Sequence, residues 1–276
     1  MESVLAHAEA AIKIPRAAMR VLEMSHDPRT PIEALADVIE SDVALGARVL
    51  RVANSPIYAN RGNFSDINRA VTWMGFREVS RIAIAVGALG EFSKVQTRLM
   101  TISQFQIHSL TTATLCEELA KKMAIDTSTA FTAGLLHDIG TLIMFSACED
   151  VMMEVLEAGI FEEDEPLYVK ERDRLGFDHA QVGAALARQW GMPESIALAI
   201  AHHHDLACPD DELESVALVA YANYLLDMGG AALEEPAIHD PGFLEKIATV
   251  LPIDTAADYD LIAVAQHSAQ KMMPSN

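Results

Sequence analysis

The sequence has little positive charge. Its 20 lysines and arginines are outnumbered by 40 aspartates and glutamates, which leaves a formal net charge of −20 over 276 residues. Such a surface repels nucleic-acid backbones and anionic lipid, and no cluster of basic residues offsets it. We therefore expect neither nucleic acid nor membrane as a partner. Two predicted helices within residues 30–53 resemble a helix-turn-helix, but Asp37, Glu40 and Asp42 beside them favour a packing role over DNA binding.

Cysteines and long apolar runs are also scarce. Cys116, Cys148 and Cys208 lie far apart and form no CxxC pair, so we expect reduced thiols rather than a disulfide framework. The most apolar run, residues 81–90, is shorter than the ~20 residues that cross a bilayer. No basic segment followed by an apolar one opens the sequence, as an export signal would require. These features predict a cytoplasmic protein.

Helical periodicity runs through most of the chain, and capping residues, prolines and glycines separate the segments. We predict an all-α fold, a multi-helix bundle with an N-terminal helical subdomain. Its parts are residues 1–95, a helical core over 96–230, and a helical tail over 231–276. The acidic stretch between residues 154 and 173 is interpreted as a solvated loop and helix edge rather than a cation site.

Histidine and aspartate are unexpectedly frequent at positions that should face the interior. His137 and Asp138 stand side by side in an apolar run, and buried groups of this kind require a partner. Imidazole nitrogens suit iron, zinc, manganese or nickel, and a carboxylate can bridge two ions. Taken singly, each residue is more often a hydrogen-bonded core residue, but their joint occurrence favours a metal site. The candidate ligands, from four predicted helices, are His108, His137, Asp138, His179, His203 and His204.

Several segments resemble known families. Residues 134–140, 176–183 and 199–204 are similar to the motifs of the HD phosphohydrolase superfamily. In the first half, residues 48–55 and 70–75 resemble the HDOD family, the HD-related output domain of bacterial signalling. The resemblance extends from about residue 12 to residue 226 and implies an HD-like helical bundle.

The resemblance also implies a function. HDOD proteins are similar in fold to HD-GYP cyclic-di-GMP phosphodiesterases but are generally regarded as regulatory modules without demonstrated catalysis. We therefore expect a signalling module that binds a protein or a ligand without turnover, whose partner the sequence does not identify and which can form oligomers. The alternative is a metal-dependent phosphohydrolase or phosphodiesterase that acts on a nucleotide-type phosphate ester through the His/Asp site. A divalent metal (Fe, Zn, Mn or Ni), if bound, is the only cofactor implied.

The sequence departs from the active HD pattern in three places. Asn223 stands where the resemblance places a closing aspartate, and an amide is a poorer ligand for a hard cation than a carboxylate. Asp227, one helical turn later, is a weak substitute. Gln104 stands one turn before His108, where a further carboxylate would be useful, and no Gly-Tyr-Pro follows His204. We accordingly expect a metal site of low occupancy.

Overall fold

The computed structural model describes residues 1–25, 27, 29–55, 58, 64–159, 165–230, 233 and 242–273. All regular structure in these ranges is α-helical, which confirms the predicted fold class. In chain order, the helices are α1 (Glu2–Ala11), α2 (Arg16–Ser25), α3 (Ile32–Glu40), α4 (Val43–Ala53), α5 (Ile67–Met74), α6 (Phe76–Phe92), α7 (Ile102–Met123), α8 (Thr127–Leu136), α9 (Ile139–Ala147), α10 (Glu149–Gly159), α11 (Leu167–Leu175), α12 (His179–Gln189), α13 (Glu194–His202), α14 (Leu213–Met228), α15 (Phe243–Val250) and α16 (Thr255–Met272).

The helices form two compact units. The N-terminal unit comprises Ile12–Lys94 and His267–Asn276, and the larger unit comprises Met1–Ala11 and Val95–Gln266. The division into residues 1–95, 96–230 and 231–276 stays a prediction, and positions 231, 232, 234–241 and 274–276 of the predicted tail lie outside the described residues.

The N-terminal unit is built around α6, which is buried along most of its length and packs on α2 and α4. Helix α4 begins at Asp42, whose carboxylate accepts hydrogen bonds from two backbone N–H groups of the first turn, as an N-cap does. After α4, the Asn54 amide both donates to and accepts from the backbone of Phe64, at 2.9 and 2.7 Å. The Asn54 side chain thus ties the end of α4 to the residues that lead into α5.

The larger unit is organised around α7, which packs on α8 and α14. Thr101 and Gln104 form a capping box at its start. Gln104 is exposed, and its Oε1 accepts from the backbone N and the hydroxyl of Thr101. Gln104 therefore serves as a helix cap.

Helices α8 and α9 form the most apolar segment of this unit. The stretch Thr127–Ala147 is long and apolar enough to cross a membrane by length and composition alone, with a mean hydropathy of 1.3. In the structure 89% of an 18-residue window of that stretch is buried inside the protein, and a core helix commonly has this composition. The helix is also interrupted, because His137 and Asp138 form a turn between α8 and α9.

The start of α9 lies directly against the start of α12. A methyl group at Gly140 would lie 2.7 Å from the carbonyl carbon of His179 and 2.9 Å from the backbone N of Gly183. Only glycine permits this approach. Gly183 likewise faces the side chain of Ile200 on α13, as expected for a small residue between packed helices. Asp178 and Gln181 form a capping box at the start of α12.

A buried aspartate on α16 joins this helix to α7 and α14. The Asp258 carboxylate is 1% exposed and accepts hydrogen bonds from Lys122 Nζ at 2.6 Å, Tyr221 Oη at 2.9 Å and the backbone N of Asp254 at 3.0 Å. Burial of a carboxylate is costly unless such donors surround it. Asp258 therefore acts as a structural tie between α7, α14 and α16.

Candidate metal centre

All six candidate ligands lie together in the larger unit. They form two groups, and within each group the potential ligand atoms lie within 4.8 Å of one another. We call them the two-histidine position, which contains His108, His137 and Asp138, and the three-histidine position, which contains His179, His203 and His204.

Asp138 faces both positions. Its Oδ2 lies 3.2 Å from His108 Nε2 and 3.0 Å from His137 Nε2. Its Oδ1 lies 3.7 Å from His179 Nε2 and 3.6 Å from His203 Nε2. Asp138 is the N-cap residue of α9, but its side chain makes no capping hydrogen bond. The carboxylate is thus directed between the two groups of histidines, the placement of a ligand that bridges two ions.

The histidines of each group also face one another. His108 Nε2 lies 3.4 Å from His137 Nε2, and His179 Nε2 lies 2.9 Å from His204 Nε2. Tetrahedral coordination at ~2.0 to 2.1 Å, as for zinc, separates neighbouring ligand atoms by about 3.3 Å. The spacing of these nitrogens is close to that value.

Local structure directs the reactive nitrogen of three histidines toward the cluster. His137 follows α8 and donates from Nδ1 to the carbonyl oxygen of Gly134 at 2.9 Å. His203 follows α13 and donates from Nδ1 to the carbonyl oxygen of Ile200 at 2.8 Å. His179, the first residue of α12, places Nδ1 2.7 Å from Glu171 Oε2. Each bond to Nδ1 leaves Nε2 as the ligand atom, as in many metal-binding histidines.

One buried nitrogen lacks any other role. His203 is 1% exposed, and its Nε2 has no hydrogen-bond partner within the described part of the chain. Such a nitrogen costs about 1 to 3 kcal/mol unless something binds it. Together with the spacing of the ligand atoms, it fits a metal ion at the three-histidine position.

Burial and mutual charge set the protonation of the cluster. Burial raises the pKa of Asp138, but the adjacent His137 and the hydrogen bonds from the histidines outweigh it, so the pKa lies well below the ordinary value of 3.8. Burial lowers the pKa of His203, and burial with the neighbouring histidines lowers the pKa of His204 further. The pKa of His179 changes in the opposite direction. Burial alone would lower it, but the charges of Glu171 and Asp138 raise it to about 10.

The structure places the remaining sequence candidates away from ligand roles. Asn223 is buried and donates to Asp227 Oδ2 at 3.3 Å, within α14. Asp227 belongs to neither group of potential ligands in the described ranges. Within the described residues, the two-histidine position therefore offers one aspartate and two imidazoles as potential ligands.

Two neighbours of the cluster, Glu171 and Tyr168, are not among the residues that the sequence predicts for the site. The stretch 154–173 was interpreted as solvated, but Glu171 within it is fully buried and contacts His179; residues 160–164 of that stretch lie outside the described residues. Tyr168, one turn before Glu171 on α11, stacks on the His204 ring with a centroid distance of 4.7 Å. The helical spacing of 168 and 171 was the only available signal, because their partners come from α12 and from the residues that follow α13.

Comparison with known proteins agrees with this architecture. An uncharacterised protein from Treponema pallidum is 28% identical over 216 residues, which are 76% of this chain and 41% of that relative. The chain thus spans about two fifths of that relative's length.

Two crystal structures share the fold. An HDOD domain protein of unknown function from Geobacter sulfurreducens superposes with a TM-score of 0.78 at 24% identity, over 99% of both chains. A proposed phosphohydrolase from Shewanella amazonensis superposes with a TM-score of 0.75 at 20% identity, over 98% of both chains. The sequence profile of the HDOD domain matches residues 12–206, most of the chain. This chain therefore belongs to the HDOD domain family.

Proposed function

We propose that this chain is a cytoplasmic signalling module that holds two divalent metal ions and uses them to bind an anionic ligand of the phosphate type without turnover. The observation that carries the proposal is the placement of Asp138, with one carboxylate oxygen toward His108 and His137 and the other toward His179 and His203. A carboxylate shared in this way between two groups of histidines suits the binding of two ions better than the binding of a single ion.

The charge of the cluster supports an anionic ligand. Two divalent ions bring more positive charge than the Asp138 carboxylate neutralises, and the imidazoles contribute none when they are neutral ligands. Coordination positions that the protein leaves open thus favour a group with several negative oxygens, as on phosphate.

Two observations support binding without turnover: the histidines of the cluster are buried, and the neighbouring Arg172 is already paired with protein carboxylates. His137, His203 and His179 are at most 4% exposed, which limits the approach of a large phosphate ester. The guanidinium of Arg172 lies over Tyr168 and pairs with Asp178 and Asp205. Arg172 is therefore committed to protein carboxylates instead of serving as a clamp for a transferring phosphoryl group.

Hydrolysis of a nucleotide-type phosphate ester is the second candidate function, and the bridging position of Asp138 favours it. When bound, two adjacent divalent ions supply the positive charge that polarises a phosphoryl group and lowers the pKa of water. Asp138 would hold the ions together, and the histidines would fix their positions. The two candidate functions, signalling by ligand binding and hydrolysis, thus use the same site and differ only in whether the bound ligand is turned over.

Elemental analysis and an activity panel separate the two functions. We expect purified protein, reconstituted with Fe(II), Zn(II) or Mn(II), to hold up to two ions per chain, and Asp138→Ala to lose most of them. Calorimetry should then detect inorganic phosphate binding to the metal-loaded protein, with no turnover of mononucleotides or cyclic dinucleotides. Turnover abolished by Asp138→Ala would establish the hydrolase instead, and protein without metal after reconstitution would refute both functions.

A further inference from the structure

Glu171 is a carboxylate that the metal centre does not itself require as a ligand. It lies on α11 and is 0% exposed. Its Oε2 accepts two hydrogen bonds from one residue, His179: from the backbone N at 2.9 Å and from ring Nδ1 at 2.7 Å. Its Oε1 has no hydrogen-bond partner among the residues that the structure describes.

Helix capping does not account for this arrangement. Asp178 already caps α12, since its carboxylate accepts from the backbone N of Gln181. A capping role would also require only the hydrogen bond from the His179 backbone N to Glu171, whereas the same Glu171 oxygen also accepts from the His179 imidazole ring. A fully buried carboxylate with one unpaired oxygen is costly to maintain, so its contact with the ring requires an explanation of its own.

The contact with the ring determines how His179 faces the cluster. With Nδ1–H donated to Glu171, Nε2 points to His204 Nε2, 2.9 Å away, and to Asp138 Oδ1, 3.7 Å away. Two bonds from one oxygen to the backbone and the ring of the same residue restrict rotation of the His179 side chain. A carboxylate on Nδ1–H also makes the opposite nitrogen a stronger donor to a metal.

Resting on the proposed metal site, we propose that Glu171 is a positioning residue that sets the metal affinity of the three-histidine position through His179. The Nδ1 atoms of His137 and His203 are held by backbone carbonyl oxygens, which are uncharged. Glu171 supplies a charged partner to one position alone. Its removal should consequently weaken that position selectively.

Zinc titration against a competing chelator tests this role in the full chain. Glu171→Gln keeps the shape of the side chain and removes its charge, and Asp173→Asn, at an exposed position of the same helix, is the matched control. In a His108→Ala background, which leaves the three-histidine position, Glu171→Gln should weaken zinc binding about 10- to 100-fold. In a His203→Ala/His204→Ala background, which leaves the two-histidine position, it should change the zinc affinity less than about 3-fold. Asp173→Asn should leave both affinities unchanged.

Equal weakening of both positions would show a general structural effect, and no weakening would show that Glu171 is dispensable; either result overturns the proposal. Failure of the wild-type protein to bind zinc would instead refute the proposed function. A metal-free measurement tests the positioning contact itself in that case. The His179 Nδ1–H proton should give a solvent-protected imidazole resonance in NMR spectra of wild-type protein and should lose protection in Glu171→Ala. Absence of that resonance from the folded wild-type protein would overturn the contact.

Discussion

Replacement of Gly140 by alanine should disturb both the packing of the larger unit and the metal centre. Gly140 lies in the first turn of α9, where alanine would ordinarily be favoured over glycine by about 0.5 to 1 kcal/mol. Here the added methyl carbon would lie 2.7 Å from the carbonyl carbon of His179 and 2.9 Å from the backbone N of Gly183. Both neighbours are backbone atoms, so no side-chain rotation can relieve the clash.

The size of the effect follows from the required displacement. The closest of these backbone atoms is the carbonyl oxygen of His179. Non-bonded heavy atoms are comfortable at about 3.5 to 4 Å, so α9 and α12 must separate by more than about 1 Å. Overpacking of a well-packed interior costs about 1 to 3 kcal/mol, and a backbone clash belongs at the upper end. After subtraction of the helix-propensity gain, we expect Gly140→Ala to lower the free energy of unfolding by about 2 kcal/mol.

Fluorescence offers a local assay of this prediction. The protein has two tryptophans; Trp190 is the C-cap residue of α12, and Trp73 belongs to the N-terminal unit. In a Trp73→Phe background, urea unfolding followed by Trp190 emission should report the larger unit. Gly46→Ala, in the N-terminal unit, is the control for a helix glycine with room for a methyl group, since nothing would lie closer to it than 3.6 Å. Followed by Trp73 emission in a Trp190→Phe background, it should be neutral or stabilising.

The displacement should also move His179 relative to Asp138 and weaken zinc binding about 10-fold or more, since metal sites require precise ligand placement. Unfolding free energy and zinc affinity equal to wild type in Gly140→Ala would refute the inferred close contact of α9 and α12. Loss of stability with unchanged zinc affinity would show that the contact supports the fold alone.

Four further substitutions have defined outcomes. His204→Ala should weaken the tighter of two zinc-binding steps, and His108→Ala should weaken the weaker step. The reason is that three imidazoles with a shared carboxylate hold zinc better than two imidazoles do. Competition with a chelator measures both steps. Asp258→Ala should lower the free energy of unfolding by about 2 kcal/mol at pH 7 in urea titrations. Asn223→Asp should lower the free energy of unfolding by about 1 to 3 kcal/mol at pH 7, because it buries a second carboxylate beside Asp227. The urea midpoint of this variant should recover partly at acidic pH, where one of the two carboxyl groups takes up a proton.

The Asp258 prediction also has a pH dependence. Burial opposes the charged form of Asp258, but hydrogen bonds from Lys122, the Asp254 backbone and Tyr221 lower its pKa below the ordinary value of 3.8. A lowered pKa in the folded state stabilises the protein above about pH 4, and this contribution is lost as the pH falls through the folded-state value. The difference between wild type and Asp258→Ala should thus shrink below pH 4. Asp260→Ala, at an exposed position of α16, is the control and should change the free energy of unfolding at pH 7 by less than about 0.5 kcal/mol.

Local pattern was sufficient for the long helices of the larger unit. The helical periodicity that predicts an all-α fold runs through α7 and α14, because apolar spacing and flanking breakers are properties of neighbouring residues. The burial of His108 and His179 was predicted for the same reason. The sequence could also indicate that the six candidate residues belong together, since no other partner was available for so many inward-facing polar groups.

Tertiary contacts determined what the sequence could not show. The predicted helix through His137 and Asp138 is broken there, and the adjacent Gly140 lies against the backbone of α12; nothing in the uniformly apolar run signals that approach. Glu171 lies in an acidic stretch typical of solvated loops, and packing alone buries it. The Asn223 side chain finds its partner in Asp227, a helical pair that the sequence allowed but did not require.

The most direct test of the account is the position of metal in crystals of the reconstituted protein, measured by anomalous diffraction at the zinc edge. We expect two peaks about 3.5 to 4 Å apart, one beside His108 and His137, the other beside His179, His203 and His204, with Asp138 between them. A single peak that Asp138 contacts through one oxygen, or no peak within this cluster, would contradict it.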